Sequence, residues 1–269
     1  MSAQPGHRDV WATGDAYQRY MGRWSRPVAR KFLLWLALPP DGRWLDIGCG
    51  TGVVTQTVLE CAAPIEVLGV DSSEGFLELA RRNTADSRAS FRMGDAQNLP
   101  LADNSVDNAV SGLVLNFMPD KAKALAEMKR VTRPGGTVAF YVWDYAGDMQ
   151  LIRTFWEAAV FLNPAAESLD EARRFKECDP DSLASLLAES GLRDVEVHAI
   201  DSTAIFENFD DYWSPFLGGQ GPAPTYCAAL SEDQRSELRG QLLATLPIEP
   251  DGTIRLKARA FAGRGRSPG

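Results

Sequence analysis

Histidine is scarce in this chain: His7 and His198 are the only two in 269 residues. No His-rich metal centre is expected. Cysteine is sparse as well. Cys49, Cys61, Cys178 and Cys227 show no C-x-x-C spacing, so neither a zinc site nor a redox dithiol is indicated. Positive charge is in deficit, with 28 basic against 36 acidic residues and a net charge of −8. Phosphate-backbone binding needs a basic footprint, so nucleic acid is not an expected partner. No apolar run approaches the length of a membrane span. Residues 1–13 lack the apolar stretch of a secretory signal. These absences together predict a reduced, cytoplasmic protein without a resident metal.

What is present is ordinary globular composition, 45% hydrophobic and 24% charged. The length suits one large α/β domain, 1–269, with room for a sizeable core and a cap. Its organising stretch is Trp44-Leu45-Asp46-Ile47-Gly48-Cys49-Gly50-Thr51-Gly52. A short apolar strand runs into a glycine-dense turn, and a helical pattern (Val53, Val54, Val58, Leu59) follows directly. Glycine lets backbone turn sharply and approach a ligand closely, because no Cβ stands in the way. Strand, turn and helix N-terminus make a nucleotide-sized site at the carboxyl end of a parallel strand. The spacing is G-x-G-x-G; the dinucleotide fingerprint G-x-G-x-x-G/A fails at Val53. Asp46 adds a carboxylate at the strand end, which a phosphate site would not aim at its ligand. The expected ligand is therefore a nucleoside carrying positive charge.

D-I-G-C-G-T-G is similar to the first motif of class I S-adenosylmethionine-dependent methyltransferases, and the wider pattern resembles their ubiquinone/menaquinone-biosynthesis-like branch. The likeness is close from Arg43 to about Tyr145 and looser on both flanks. It implies a Rossmann-like, doubly wound, seven-stranded sheet, mostly parallel with a C-terminal antiparallel strand. It implies S-adenosyl-L-methionine as cofactor, held at the turn by Asp46, Gly48, Cys49, Gly50 and Thr51.

The following strands agree. Glu66–Asp71 is the second, and Asp71 lies about 20 residues past the turn, where an acid accepts hydrogen bonds from ribose hydroxyls. Ser72 follows it, and Ser72-Ser73-Glu74 begins a helix. Ala89–Met93 is the third strand; by resemblance, the next Asp95 and Ala96 meet the adenine. Val106–Val110 belongs to the fourth, and by resemblance the backbone at Ser111 borders the methionine part. Leu113, Val114, Leu115 and Phe117 read as core. The turn Arg133-Pro134-Gly135-Gly136 precedes a fifth strand, Thr137–Trp143.

The flanks supply the expected cap. Tyr17, Tyr20, Met21 and Trp24 precede a helix with Pro27 in its first turn and Val28, Phe32, Trp35 and Leu36 on one face. By resemblance this segment, 15–38, folds over the cofactor, with Tyr20 and Arg26 able to touch it. The cofactor core is 43–145. Two further stretches, 146–178 and 207–252, read as cap insertions rich in aromatic residues. Val195, Val197 and Ala199 alternate, as do Ile254 to Ala262, and these last strands should pair antiparallel. The basic face Arg255, Lys257, Arg259 reads as solvated edge protection.

A sulfonium methyl is already activated, so the expected reaction is an in-line displacement onto a small, partly apolar acceptor. The protein would align the partners and exclude water. No residue declares itself as a base; Asp144, Tyr145, Tyr17 and Tyr20 are candidates, and the catalytic set stays open. Two other readings stand beside this one: a catalytically silent relative that binds the cofactor as an assembly protein, and a nicotinamide-dependent dehydrogenase, against which the glycine spacing speaks. Composition says nothing of oligomeric state.

Overall fold

The computed structural model describes residues 21–219 and 221–268; Tyr17, Tyr20 and His7 lie outside them. Seven strands form one sheet: β1 (Arg43–Ile47), β2 (Glu66–Asp71), β3 (Ala89–Met93), β4 (Val106–Gly112), β5 (Thr132–Trp143), β6 (Arg193–Phe206) and β7 (Ile254–Arg266), in the order β3-β2-β1-β4-β5-β7-β6. β1 to β5 pair in parallel, and β7 runs antiparallel to both β5 and β6. β1 and β4 sit side by side although two strands separate them in sequence. The chain's winding reverses there, which opens a crevice at the carboxyl ends.

The inner parallel strands β1, β4 and the second half of β5 are buried because helices cover both faces, whereas β3, at the sheet edge, has no buried residue. α1 (Arg23–Leu36) packs Val28, Phe32 and Leu36 inward, each 2% exposed or less. Phe32 meets Tyr141 of β5 with ring centroids 4.8 Å apart. Pro27 lies inside this helix rather than at its start. The missing N–H of Pro27 would have bonded the carbonyl of Arg23, and the wider π-type turn at Met21–Gly22 sits just before that site. Ala37 in the left-handed conformation ends the helix, donating its N–H to Leu33. α2 (Val53–Cys61), α3 (Glu74–Asn83) and α4 (Lys121–Val131) are the crossover helices. Ser73 and Asp120 cap α3 and α4 by accepting from the N–H three residues on.

Two strands run beyond the expected limits. β4 continues to Gly112, where a Cβ would stand 2.6 Å from Val54 and 2.7 Å from the Tyr141 hydroxyl. β5 begins at Thr132 and absorbs the Arg133–Gly136 turn, with a register shift against β4 between Val106 and Asn108.

β6 and β7 pair from Phe206↔Ile254 to Arg193↔Arg266, but β5 ends at Trp143↔Ala260. The last six rungs of the hairpin, Asp201↔Arg259 to Phe206↔Ile254, therefore overhang the carboxyl edge. α5 (Gln150–Leu162) packs on β7 and α8 (Phe209–Trp213) on β6; α9 (Pro222–Ala229) and α10 (Glu232–Thr245) pack on α5 in turn, α6 (Glu171–Arg174) packs on the 3-10 segment Pro164–Leu169, and α7 (Pro180–Glu189) packs on β6 and β7. Ser231 and Gln234 close a capping box at the start of α10. Aromatic rings bind the insertions together. Phe155 stacks on Phe216 at 4.5 Å, Trp156 meets Tyr226 at 5.4 Å, and Tyr212 meets Phe206 at 5.3 Å.

The basic residues of β7 do not guard an edge. β7 is an inner strand, and β6 is the outer one. Arg259 donates to both carboxylate oxygens of Asp201 at 2.6 and 2.9 Å, Lys257 reaches Asp148 at 3.0 Å, and Arg264 holds Glu196 and lies over the Trp35 ring. Alternation told the two faces apart but not which strand would be the neighbour.

Candidate cofactor and acceptor site

A cavity of about 480 Å³ opens at the carboxyl edge between β1 and β4. The glycine turn forms its floor. Gly48, Gly50 and Gly52 have φ of 66°, 52° and 88°, a region glycine enters without steric cost. A Cβ on Gly48 would strike Val114 at 2.5 Å, whereas a Cβ on Gly50 would meet no atom within 4 Å. The turn thus packs its first glycine against the protein and presents its second as bare backbone to open volume.

Asp71 ends β2 beside this turn. One carboxylate oxygen accepts the Gly50 N–H and the other the Ser73 N–H, each at 2.9 Å. Burial raises its pKa, against the lowering effect of those backbone donors. Each oxygen keeps lone-pair capacity toward the cavity. Ser72, Asp95 and Ala96 line the same wall, with Asp95 accepting from Gln97 N–H at 2.9 Å.

Asp46 lies under the turn and does not line the cavity. One of its oxygens accepts both the N–H and the hydroxyl of Thr55, at 2.9 and 2.7 Å. The other has no partner among the described residues. Complete burial pushes its pKa up to about 7, moderated by Thr55 and reinforced by the charge of Asp71. Cys49 lines the cavity; burial, with Asp46 and Asp71 nearby, holds its thiol well above the usual range, so it is no thiolate.

The structure brings Gly48, Cys49, Gly50, Thr51, Asp71, Ser72, Asp95 and Ala96 to one cavity. It sets others elsewhere. Ser111 is buried behind the wall with an unpartnered hydroxyl, and its successors Gly112 and Leu113 do the lining. Arg26 points to Gln56 at 2.7 Å, while its neighbour Ser25 reaches the cavity. Tyr20 lies outside the described residues. Asp144 accepts the Asp148 N–H, and Tyr145 takes a hydrogen bond from Asn116; neither lines the cavity. His198 stacks on Trp35 at 5.6 Å. Among the described residues no cluster could hold a metal ion.

Leu113, Val114 and Phe117 read as core from sequence, and they do pack in or against the core, but with Met118 and Pro119 they also line the cavity. Leu113 has φ 63°, an uncommon state for a branched residue. The signal was positional. These residues follow β4 at the same reversal point that marks the turn after β1.

Comparison with known proteins agrees with this geometry. Residues 45–140 match the family model described as a methyltransferase domain. Over that stretch the chain resembles the class I S-adenosylmethionine-dependent methyltransferases, among them enzymes of the ubiquinone/menaquinone-like branch. It is 35% identical over 129 residues to a demethylmenaquinone methyltransferase of Symbiobacterium thermophilum, covering 45% of this chain and 51% of that protein. It is 32% identical over 152 residues to a malonyl-[acyl-carrier protein] O-methyltransferase of Serratia marcescens, covering 54% and 58%. The chain spans about half the length of these curated relatives. In fold it resembles phosphoethanolamine N-methyltransferase 2 of Haemonchus contortus, solved with S-adenosyl-L-methionine, at TM-score 0.59 and 17% identity, over 95% of this chain and 57% of that one.

S-adenosylmethionine is the cofactor of this family, and the cavity fits it on its own terms. Bare backbone at Gly50 stands beside a carboxylate with spare acceptor capacity, and no basic residue among the described lining would repel a sulfonium.

Proposed function

We propose that the protein transfers the methyl group of S-adenosylmethionine to a small, partly apolar acceptor by in-line displacement. The observation that carries this reading is one cavity lined both by Asp71, the glycine turn and Asp95–Ala96 and by the apolar side chains of Leu113, Val114, Phe117 and Met118. The cofactor supplies an activated methyl. Asp71 accepts the ribose hydroxyls, Asp95 and the Ala96 backbone meet the adenine, and the Gly48–Thr51 and Gly112 backbones border the methionine part. Arg26 and Ser111 contribute through the segments that carry them, Ser25 and Gly112, and Asp46 holds the turn from below. Of the expected lid, the described residues 21–38 bring Ser25 to the cavity, 43–145 carry the cofactor core, and 146–178 with 207–252 pack outside the described cavity lining.

The acceptor end of the cavity needs only to exclude water and align nucleophile with sulfur. No helix among the described residues is long and apolar enough to cross a membrane, and the four cysteines are unpaired, which suits a reducing cytoplasm. Calorimetry with S-adenosylhomocysteine and with NAD is the first test; tight binding of NAD alone would overturn the cofactor assignment. Appearance of S-adenosylhomocysteine from S-adenosylmethionine across a panel of small acceptors is the second. Cofactor binding with no turnover on any acceptor would leave the silent relative standing instead.

A further inference from the structure

The 3-10 turn Leu115–Phe117 follows β4 at the apolar lining of the cavity. Phe117 lines the cavity, and Asn116 beside it is 4% exposed. Its amide nitrogen donates to the Tyr145 hydroxyl at 3.1 Å, and its amide oxygen has no donor among the described residues. A buried acceptor left unmade is expensive, and natural proteins keep one where something else completes it. The surroundings are aromatic. Phe175 packs edge-on against Phe117 at 5.0 Å and lies 5.1 Å from Tyr145. Phe175 comes from the 146–178 stretch, none of whose described residues lines the cavity, and it meets the cavity wall only through the ring of Phe117. Arg153, bonded to Asp170 at 2.6 and 3.0 Å, fixes the start of α6 and so the approach of Phe175. Among the described lining residues there is no Lys, Arg or His, so nothing there would hold an anionic acceptor.

We propose that Asn116 is the polar anchor of the acceptor site, its free amide oxygen accepting a hydrogen bond from the hydroxyl or amine that receives the methyl group. Phe117 and Phe175 form the aromatic wall behind which this amide lies, and the wall gives way as the acceptor enters. The acceptor is then an uncharged, planar, largely apolar molecule bearing one hydrogen-bond donor. A donor held by an amide oxygen still turns a lone pair toward the methyl; the new bond to carbon forms as the carbon–sulfur bond breaks, S-adenosylhomocysteine leaves with that electron pair, and the acceptor's proton passes to solvent water, because the amide orients the donor and is too weak a base to take its proton. This assignment rests on the cofactor reading above.

The test uses the full chain saturated with S-adenosylhomocysteine, after a calorimetric titration has established that this ligand binds; its failure to bind would remove both readings. 2-Naphthol and 2-methoxynaphthalene, in which a methyl group replaces the hydroxyl proton, are then compared as probes, with Asn116→Leu as the control for the added bulk. 2-Naphthol is expected to bind at least about tenfold more tightly. Asn116→Leu, close in shape and without the amide, should erase that preference while leaving the affinity for S-adenosylhomocysteine within about twofold. Equal binding of the two probes, preference for the ether, binding of neither, or a preference that survives in Asn116→Leu would each overturn the subsite while normal cofactor binding kept the methyltransferase reading intact. The wild-type comparison needs no variant, so a poorly folding Asn116→Leu does not protect the proposal.

Discussion

The turn after β1 and the aromatic block on the overhanging hairpin solve opposite problems. The turn, Gly48 to Gly52, is nearly side-chain-free, holds left-handed backbone in place, and keeps a volume open beside it. The block around Phe155, Trp156, Tyr212 and Phe216 fills its space with rings, each of these residues 1% exposed or less. None of the described residues lining the cavity comes from 146–268. Binding and bulk stability are thus assigned to different parts of the chain. A change in the turn should be felt by ligand, and a change in the block by the fold.

The largest effect expected is Gly50→Val. A β-branched residue resists φ near 52°, and its side chain would fill open volume beside the turn. Binding of S-adenosylhomocysteine should fall below calorimetric detection while the melting temperature drops by only a few degrees. Normal affinity in this variant would mean that the ligand does not approach through the turn. Phe216→Ala is the counterpart. Removing a fully buried ring that stacks on Phe155 should cost about 3–5 kcal/mol in urea unfolding, with affinity unchanged in the molecules that remain folded. A matching loss of affinity would break the division of labour. Asp71→Ala follows, with a loss of roughly 2–4 kcal/mol in binding S-adenosylhomocysteine, because ribose hydroxyls lose a charged acceptor.

A smaller effect comes from Glu171 in the block. It is fully enclosed, its carboxyl takes the Trp156 indole N–H, and burial pushes its pKa up to about 8 from an ordinary 4.5. Between those values the folded chain keeps a proton that the unfolded chain releases, so stability falls as pH rises. The slope from this one group is about 1.4 kcal/mol per pH unit through that window, and Asp46 adds a similar fall between 3.8 and about 7. Glu171→Gln should lose less stability than the parent between pH 5 and pH 7.5 in denaturant titrations. Equal losses would show that Glu171 is ionised in the fold. The smallest effect expected is in hydrogen exchange: added S-adenosylhomocysteine should slow residues 48–52 and 113–118 and leave 209–219 unchanged.

The same contrast explains what the sequence could be made to say. The turn is legible because its chemistry is local: glycine spacing, a strand before, a helix after, and an acid about 20 residues on. β2 and β3 fall on the residues expected of them; β2 shows as a short apolar run, and the exposed edge strand β3 is marked instead by its place between α3 and Asp95. Leu113 and Phe117 were illegible because an apolar side chain beside a ligand and one inside a core look alike in sequence. Only the pairing of β1 with β4 puts them at the cavity. The position of β7 was missed for the same kind of reason: strand order is a property of the whole sheet, and alternation carries no record of it. Asn116 was passed over because one amide in an apolar stretch has no spacing to betray it.

The six overhanging rungs of β6 and β7 also decide where this chain tolerates revision. Everything between Phe206 and Ile254 is attached at the free tip of a ribbon, beyond the last rung shared with β5. Residues inserted in the exposed connections between the helices there lengthen a loop and shift no register in the seven-stranded sheet, whereas the buried rings of Tyr212 and Phe216 must stay. The cost of a longer loop rises only with the logarithm of its length. The connections at the tip are therefore places where the chain can lengthen while the cofactor end of the molecule stays as it is.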